Sequence, residues 1–518
     1  MVQPALASEP PQQPQGFSPL HRFEFSRVFE DDVILCCKSV TSNAIGFDQI
    51  HPKFIRLLLP KISRYITHIF NTIITTSLFP NCWKHAKVIP VPKSSSEYRP
   101  ISILPFLSKV LERLLHNQIN TYLNDHQLLF NKQSGFRTGH SCVSSLISVS
   151  EDIRSNIDNG GITFLVLLDH SKAFDSVNHD ILCKKIYNNF YFSSTASSLI
   201  RTYLSDRYQS VSVGEAVSTP MLVSKGVPQG SILGPLLFTL YINDLPNCLL
   251  HSDIHIYADD VQVYMNCKKD CAKLNEDLDR IYHWASSNGL YLNPTKSKGL
   301  IITQRNQNIV VDIPITLGNQ NISIVESAKN LGIIFNKSLQ WNTHINSVSG
   351  IIFSMLRTLY PLQHITPLNI RVLLAKTYLM PRLLYGCEIF AYCDSTSKSR
   401  LNVAYNAILR YVYGIKRYDG ISQHSKSLYG VELMDLLKIK ALILLHKVIY
   451  TREPSYLFNR IQFARSNRGK QIIQLKHRTL ISKWQFFTNT IRLWNSLPNP
   501  LQITANALQF KKMLFSHF

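Results

Sequence analysis

The stretch that most constrains the fold is residues 257–260, Tyr-Ala-Asp-Asp, where two adjacent carboxylates stand between two alternating apolar runs. Ile254 and Ile256 alternate before it, and Val261 and Val263 alternate after it. A period of two on both sides of a short polar stretch predicts two strands joined by a tight hairpin that turns at Ala-Asp. Carboxylates presented by such a hairpin could bind a metal ion. On these residues alone, an ordinary solvated turn remains the alternative.

A second predicted strand also ends in a carboxylate. Residues 163–168 form an unbroken apolar run, typical of a buried central strand, and Asp169 follows at once. Hard cations such as Mg²⁺ take carboxylate oxygens from more than one segment, and pairs of these ions promote in-line displacement at phosphorus. We therefore expect Asp169 to be the second donor. Phe174 stands five residues later, ahead of a helix that is predicted to begin near Asn178 as its N-cap.

A loop rich in glycine and proline, residues 226–235, precedes an apolar helix that is predicted to run to Ile242. Three glycines and two prolines within ten residues let the backbone approach a flat ligand closely. A dinucleotide-binding loop is the rival interpretation, but the glycine spacing does not fit it. Further along, a helix is predicted at residues 274–284 and strands at residues 299–303 and 329–334, before the pattern becomes helical and basic.

Basic residues precede two of the predicted helices. Arg99 and Arg137 each stand just ahead of an amphipathic helix, where backbone amides and the helix dipole also favour anions. A triphosphate could bind there, although arginines in loops are most often plain surface charges. Residues 83–93 alternate basic and apolar side chains in a predicted strand. That strand either faces a phosphate backbone or is a half-exposed edge strand.

The charge distribution favours a polyanionic partner. The net charge is +22, and residues 351–518 contain 24 basic against 6 acidic residues, which assigns +18 of it to the last third of the chain. The ten cysteines lack zinc-type spacing and are expected to be reduced core residues. The longest apolar run, near residues 232–242, is too short to span a bilayer, and no apolar signal core stands at the N-terminus. We therefore expect an intracellular protein without a membrane partner.

Taken in order, these motifs resemble those of the reverse transcriptases of non-LTR (LINE-type) retrotransposons, close to the jockey-like group. Residues 168–175 resemble the first catalytic motif of that family, residues 226–235 its template and nucleotide grip, and residues 257–260 its Tyr-Ala-Asp-Asp box. Further family blocks match residues 288–298, 329–345 and 492–498. The resemblance extends from about residue 23 to the C-terminus.

The resemblance implies an α+β fold of the right-hand polymerase type, with fingers, a palm built on an antiparallel sheet, a helical thumb and a basic helical C-terminal region. It implies these domains: a disordered tail at residues 1–22, an N-terminal extension and fingers at 23–150, the palm with part of the fingers at 151–345, the thumb at 346–430 and the basic helical region at 431–518. The Pro- and Gln-rich composition of the first residues agrees with a disordered tail.

The resemblance also implies the chemistry. Asp169 and Asp259 would bind two Mg²⁺ ions, with Mn²⁺ as an alternative, and Asp260 would complete the carboxylate cluster. The ions would activate a primer 3′-hydroxyl and neutralise the leaving pyrophosphate. The expected partners are an RNA template, a DNA primer or target, and deoxynucleoside triphosphates.

Six further residues receive nucleotide-binding roles by the same resemblance. Arg99 and Arg137 would lie near the triphosphate, and Gln229 and Gly230 under the template and the incoming base. Lys296 would donate a proton to pyrophosphate. The ring of Phe174 would lie beneath the incoming sugar and collide with a 2′-hydroxyl.

Some features depart from the family pattern. The segment at residues 93–98 is shorter than usual, Glu97 stands where Asn is common, Asn336 where Asp is common, and His170 is unusual. The alternative function is therefore a catalytically inactive, nucleic-acid-binding remnant of such an element, against which the three intact aspartates argue. The sequence shows no endonuclease motif, so we expect that activity to come from a separate or missing segment.

Overall fold

The computed structural model describes residues 22–93, 97–267, 271–303, 313–464, 470–474 and 485–518. Apart from Arg22, the predicted tail at residues 1–22 lies outside the described residues, as do residues 94–96 of the shortened segment. The chain divides into two compact units. Unit 1 takes in the described residues up to Phe136 together with Asp169–Leu250 and Asp277–Asn293, and unit 2 consists of Arg137–Leu168, His251–Glu276 and Pro294–Phe518.

Helices make up much of both units. In chain order the α-helices of the described residues are α1 (Glu30–Ser39), α2 (Pro52–Thr76), α3 (Phe106–Asp125), α4 (Cys142–Asp158), α5 (His179–Asn189), α6 (Ser194–Leu204), α7 (Leu233–Ile242), α8 (Ala272–Ser287), α9 (Asn342–Leu359), α10 (Leu368–Leu374), α11 (Met380–Leu384), α12 (Cys387–Phe390), α13 (Ser395–Tyr413), α14 (Leu433–Thr451), α15 (Ser455–Phe458), α16 (Phe486–Ser496), α17 (Asn499–Ile503) and α18 (Ala507–His517).

The strands are shorter and fall into several small sheets. In chain order they are β1 (His85–Pro92), β2 (Tyr98–Ile103), β3 (Ile162–Leu168), β4 (His170–Ser171), β5 (Arg207–Val213), β6 (Ala216–Val217), β7 (Met221–Val223), β8 (Asp253–Tyr257), β9 (Asp260–Cys267), β10 (Tyr291–Leu292), β11 (Lys298–Ile302), β12 (Thr316–Leu317), β13 (Gln320–Asn321), β14 (Ser323–Ile324), β15 (Ser327–Asn330) and β16 (Ile333–Asn336).

Unit 1 combines a five-stranded sheet with helices. The sheet has the order β2-β1-β5-β6, and β7 also pairs with β5. β1 lies between β2 and β5, so the prediction that residues 83–93 could be an edge strand is wrong. In α3, Val110, Leu114 and Leu115 are buried, as the apolar spacing of this amphipathic helix predicts. Asn178 caps α5 as predicted, accepting hydrogen bonds from the backbone N–H groups of Asp180 and Ile181.

Unit 2 contains the sheet that the sequence pattern predicts, with strand order β14-β11-β3-β9-β8. β3 pairs antiparallel with both β11 and β9, and β8 pairs antiparallel with β9. Six of the seven β3 residues are buried, because the strand is covered on both faces and can therefore be apolar throughout. The α+β class is confirmed, and the sheet is antiparallel except at the edge where β14 pairs parallel with β11.

The long C-terminal part of unit 2 is helical, as expected, from α9 to α18. One apolar cluster contains Ile153 of α4, Leu165 of β3, Leu437 of α14 and Trp494 of α16, all of them fully buried. The core therefore joins Leu165 of the sheet to helical residues 272 and 329 positions later in the sequence. The predicted domain boundaries stay a prediction.

A second sequence-based expectation also needs correction. The single strand predicted at residues 329–334 is a hairpin of β15 and β16, in which Asn330 pairs with Ile333. Gly332 stands in its turn with φ +89°, a conformation that favours glycine. Separately, no helix among the described residues is long and apolar enough to cross a membrane.

Candidate active site

The two adjacent aspartates lie at the tip of the β8–β9 hairpin, as predicted. Tyr257 pairs with Asp260, which leaves Ala258 and Asp259 in a two-residue turn. Ala258 has φ +54°. A residue other than glycine in this region costs about 1–2 kcal/mol, so the turn holds a strained position at the point where it presents Asp259. Asp259 is half-buried and Asp260 is exposed.

The register of β3 against β9 relates Asp169 to the hairpin. Leu168, the last residue of β3, pairs with Val261. Asp169 is bonded to Leu168, and Asp260 is bonded to Val261. Each residue of the last pair in the β3–β9 ladder is therefore bonded to an aspartate.

Polar side chains of unit 2 hold β9, the second strand of this hairpin, in place. Gln262 is buried; its Nε2 donates to Ser145 Oγ at 3.2 Å, and its Oε1 accepts from Asn330 Nδ2 at 2.7 Å. A buried amide whose partners come from a helix and from another hairpin fixes the strand in one register, because a slip would leave polar groups unpaired.

Tyr385 contacts two predicted motifs, and sequence analysis missed it. Its hydroxyl donates to the carbonyl oxygen of Leu331 at 2.7 Å, and a Cβ on Gly332 would come within 2.7 Å of its ring. Burial raises the pKa of both Tyr385 and Tyr257, the latter to about 12, and contact with the Cys142 thiol adds to each shift. Both tyrosines therefore stay protonated donors at neutral pH. The local signal for this packing was Gly332, next to Leu331 in the β15–β16 turn.

In unit 1, the segment that follows Asp169 is held by backbone pairing. The Asp169 carbonyl oxygen accepts a hydrogen bond from Asn293 N–H at 2.9 Å, and His170 and Ser171 form β4, which pairs with β10. His170, the unusual residue of this motif, is paired with Leu292 in that ladder. Asp169 itself is half-buried.

Phe174 lies in a short 3₁₀ turn, half-buried between two other rings. It stacks on Phe238 with the ring centroids 4.3 Å apart, and Phe136 meets it edge-on at 6.0 Å. Its carbonyl oxygen accepts from Val227 N–H at 2.9 Å. The ring is thus oriented from beneath by Phe238, while part of it stays accessible to a ligand.

The glycine- and proline-rich loop is fixed from two sides. Gln229 Nε2 donates to Asp175 Oδ1 at 2.8 Å, while the Gln229 carbonyl oxygen accepts from Ser102 N–H of β2 at 2.6 Å. A Cβ on Gly226 would lie 2.8 Å from the backbone of Asp175, and one on Gly230 would lie 2.5 Å from the Ser102 carbonyl oxygen. Both glycines are therefore required by close approach to the backbone of the chain itself, whereas the predicted approach of this loop to a flat ligand stays a prediction.

Glu112 supports this loop, and sequence analysis did not find it. Its fully buried carboxylate accepts hydrogen bonds from the backbone N–H groups of Ile232, at 2.7 Å, and Leu233, at 3.2 Å, where α7 begins. Burial raises the pKa of Glu112, whereas Arg207 and these hydrogen bonds lower it. A side chain from α3 thus caps a helix 120 residues later in the chain, and no local pattern signals such a cap.

A cavity of about 340 Å³ opens beside the loop within unit 1. Its wall includes residues of β1, β2, β5 and β7 together with the loop, and the polar groups there include Lys172, Asp175, Arg207, Lys225 and Gln229. Three cationic side chains and a glutamine amide around a cleft suit a phosphate-bearing ligand with a hydrogen-bonding edge.

The remaining predicted residues are distributed over both units. Arg99 is exposed on β2 of unit 1, where it pairs with Val91. Arg137 lies in unit 2, in the loop before α4. Lys296 is exposed in unit 2, two residues before Lys298, which pairs with Leu167 near the end of β3. Unit 1 thus brings Arg99, Phe174, Gln229 and Gly230 to the loop and its sheet, and unit 2 carries Asp259, Asp260, Arg137 and Lys296.

Carboxylate oxygens are the ligands that Mg²⁺ prefers, so the donor chemistry of Asp169, Asp259 and Asp260 fits this ion. Within the described ranges, no group of three or more His, Cys, Asp or Glu side chains is arranged so that it could hold a metal ion. The fit to Mg²⁺ therefore rests on the chemistry of the donors and on the strand register.

Comparison with known proteins places a family model on this part of the chain. Residues 91–335 match the model described as reverse transcriptase (RNA-dependent DNA polymerase). The matched segment contains β2, the glycine- and proline-rich loop, the β8–β9 hairpin and the β15–β16 hairpin.

Three curated relatives from Drosophila melanogaster resemble most of the chain. The probable RNA-directed DNA polymerase from transposon BS is 29% identical over 422 residues, covering 76% of this chain and 46% of that protein. The probable RNA-directed DNA polymerase from transposon X-element is 30% identical, covering 76% and 44%. The RNA-directed DNA polymerase from mobile element jockey is 26% identical, covering 74% and 43%. The chain spans less than half the length of these relatives.

Proposed function

Because residues 91–335 belong to the reverse transcriptase family, we propose that this chain is an RNA-directed DNA polymerase of a non-LTR retrotransposon, which adds deoxynucleotides to a primer 3′-hydroxyl. The resemblance to this group, and to jockey in particular, is confirmed by the matched relatives. Their names describe the same activity.

The observation that carries the proposal is the pairing of Leu168 with Val261 beneath the β8–β9 turn. It supports Asp169 and Asp259 as metal ligands, with Asp260 completing the set. Two Mg²⁺ ions, or Mn²⁺, would activate the primer 3′-hydroxyl and neutralise the leaving pyrophosphate. The work of the chain is to hold these carboxylates at strand ends or directly beside them, because strands are more rigid than long loops.

The other predicted residues would hold the nucleotide. Arg99 and Arg137 would bind the triphosphate, since a guanidinium can bind phosphate oxygens through two parallel hydrogen bonds. Gln229 and Gly230 would lie under the template and the incoming base; the hydrogen bonds of Gln229 to Asp175 and Ser102 support this role by orienting it. Lys296 would donate a proton to the leaving pyrophosphate.

The charge of the chain supports nucleic acid as the partner. A net charge of +22, mostly in the last third, suits an RNA template and a DNA primer or target. Cleavage of the target would need an endonuclease supplied by another segment. The nucleus and the cytoplasm are the compartments in which such a polymerase would meet its substrates.

Primer extension tests the proposal. The full chain, incubated with a homopolymer RNA template, a DNA primer, the matching deoxynucleotide and Mg²⁺, should lengthen the primer, and chelation by EDTA should stop the reaction. If the chain binds the primer–template duplex but adds no nucleotide with either Mg²⁺ or Mn²⁺, the inactive nucleic-acid-binding remnant is the better description.

A further inference from the structure

The loop that carries Arg137 packs against a segment from the far end of unit 2. In this loop the Arg137 carbonyl oxygen accepts from His140 N–H at 3.3 Å, and Gly139 has φ +86°. A Cβ on Gly139 would lie 3.0 Å from Cβ of Glu453. Lys447, on α14, donates from Nζ to the Gly139 carbonyl oxygen at 3.3 Å. Residues more than 300 positions later thus cover this short turn.

Glu453 faces the loop with its carboxylate. Its Oε2 lies 3.5 Å from His140 Nε2, and its backbone N–H donates to Thr451 Oγ1 at 3.2 Å, which fixes the start of the segment. Burial, together with Arg137 and Lys447, lowers the pKa of His140 to about 3. The imidazole is therefore neutral at pH 7, and Arg137 is a charged partner of Glu453 in this loop.

Tyr456 anchors the same segment to the palm sheet and to α4. Its hydroxyl lies 2.9 Å from Ser144 Oγ in the first turn of α4, and its ring meets the His255 ring of β8 edge-on at 4.9 Å. The residue is 6% exposed. His255 stands two residues before Tyr257, so one side chain contacts both the helix that follows the Arg137 loop and the strand that leads to the Asp259 turn.

Further contacts keep this segment from moving independently. Arg460 forms an ion pair with Asp152 of α4, and Asp152 also accepts from Tyr264 of β9 at 2.6 Å. Phe486, at the start of α16, donates its backbone N–H to the buried Glu151 at 2.9 Å. The C-terminal helices are therefore joined to α4 by charged and polar contacts as well as by the apolar core.

The same packing also affects Arg137. Burial lowers the pKa of its guanidinium, while Glu453 and Tyr456 act in the opposite direction by favouring the charged form. An arginine does not lose its proton in a protein, so without the carboxylate it would stay charged and turn toward water. The two residues thus favour the charged form of this partly buried guanidinium.

We propose that Glu453 and Tyr456, which lie outside the matched family segment, are positioning residues that hold Arg137 ready for the incoming triphosphate. We call residues 453–456 the clamp. The inference rests on the proposed function, since it presumes that Arg137 binds the nucleotide. It makes the C-terminal helices part of the nucleotide site rather than only a basic surface for nucleic acid.

The test uses the full chain and the variants Glu453→Gln, Tyr456→Phe, Arg137→Lys and the double variant of Glu453 and Arg137. Glu453→Gln should raise KM for the deoxynucleotide about tenfold with kcat nearly unchanged, which is the size of effect expected when a partly buried guanidinium loses a nearby opposite charge. In the Arg137→Lys background the same substitution should add little, because the two residues act together. Glu326→Gln, which breaks an exposed ion pair with Lys337 in the same unit, is the matched control and should leave KM unchanged.

Limited trypsin digestion gives a second readout that does not depend on polymerisation. Glu453→Gln should be cut after Arg137 at least about fivefold faster than the wild type or Glu326→Gln, because the loop opens locally. An unchanged cleavage rate for Glu453→Gln overturns the clamp. So does an unchanged or lower KM for Glu453→Gln in an experiment where Arg137→Lys raises KM. A lower KM would show that Glu453 competes with the triphosphate. If Arg137→Lys itself leaves KM unchanged, the nucleotide role proposed for Arg137 is wrong, and the digestion then decides on the clamp alone.

Discussion

Gly230 lies directly against the backbone of Ser102. A Cβ built on Gly230 would stand 2.5 Å from the Ser102 carbonyl oxygen, and the glycine has φ +122°. The absence of a side chain is what lets the loop reach β2, the strand that also carries Arg99. Any larger residue must displace backbone on one side or the other.

Gly230→Ala should therefore reduce primer extension by at least about a hundredfold, since displacement of a substrate-positioning loop by about 1 Å can cost this much. Gly214→Ala is the matched control, because Gly214 also has positive φ, at +59°, but a Cβ added to it would meet no atom within 4 Å. The control should lose about 1–2 kcal/mol of stability and keep its activity. Equal losses of activity in the two variants would show that backbone strain, and not the contact with Ser102, matters.

Asp259→Asn should abolish extension while binding of the primer–template duplex stays nearly unchanged. The substitution removes a proposed metal ligand and keeps the size of the side chain, and the basic surface is not altered. Extension rates and duplex Kd are measured side by side, with Asp279→Asn on the exposed face of α8 as control. More than a small fraction of residual activity would contradict the assignment of Asp259 to the metal.

The basic last third should supply most of the nonspecific affinity for nucleic acid. Deletion from residue 351 would remove much of the unit 2 core, so charge neutralisation is the better test. Replacing three exposed lysines there by glutamine should flatten the slope of log K against log salt by about 0.7–0.9 for each phosphate that is no longer neutralised by a lysine. The test set is Lys416, Lys511 and Lys512, and the control set is Lys53, Lys61 and Lys184. The same slope change in both sets would assign the binding to other surfaces.

Phe174→Val should make the enzyme incorporate ribonucleotides more readily relative to deoxynucleotides, because a smaller side chain would leave room for a 2′-hydroxyl. The measurement is the ratio of kcat/KM for the two substrates. Phe70→Leu, which alters a fully buried ring of α2, should lower the melting temperature with little change in that ratio. If Phe174→Val also lowers stability and both rates without changing the ratio, Phe174 is only a packing residue.

Acid should destabilise the fold through His344. Burial lowers the pKa of this histidine to about 4, so the unfolded chain takes up a proton below about pH 6.5 while the folded chain does not. Stability is therefore lost as the pH falls from about 6.5, by about 2 kcal/mol at pH 5. His344→Asn, which keeps an acceptor near the Ile334 N–H, should lose that much less between pH 7 and pH 5 in urea unfolding. An unchanged pH slope would contradict this account.

Features that depend on neighbours in the chain could be predicted from the sequence. The period of two around residues 257–260 predicts the hairpin, the apolar run before Asp169 predicts the buried strand, and Asn178 predicts the start of α5. Each follows from side-chain spacing or from a cap within a few residues. The motifs also predicted the family, because their residues and their order are specific together even though no single motif is specific by itself.

Features that depend on partners distant in the chain were decided by the tertiary structure alone. Nothing in the local pattern places β1 between β2 and β5, brings Glu112 to the start of α7, or sets Tyr385 against Gly332. The strand predicted at residues 329–334 became a hairpin because Gly332 turns the chain where a ring packs against it.

Glu453 shows most clearly why contacts between distant segments could not be predicted from the sequence. Its position after α14 has no periodicity or motif, and its contacts with the Arg137 loop arise only because an apolar core brings α4 and the C-terminal helices together. Hydrophobic burial is not directional, so it joins distant segments without leaving a local signature, and the polar pairs that then form between them depend on that packing.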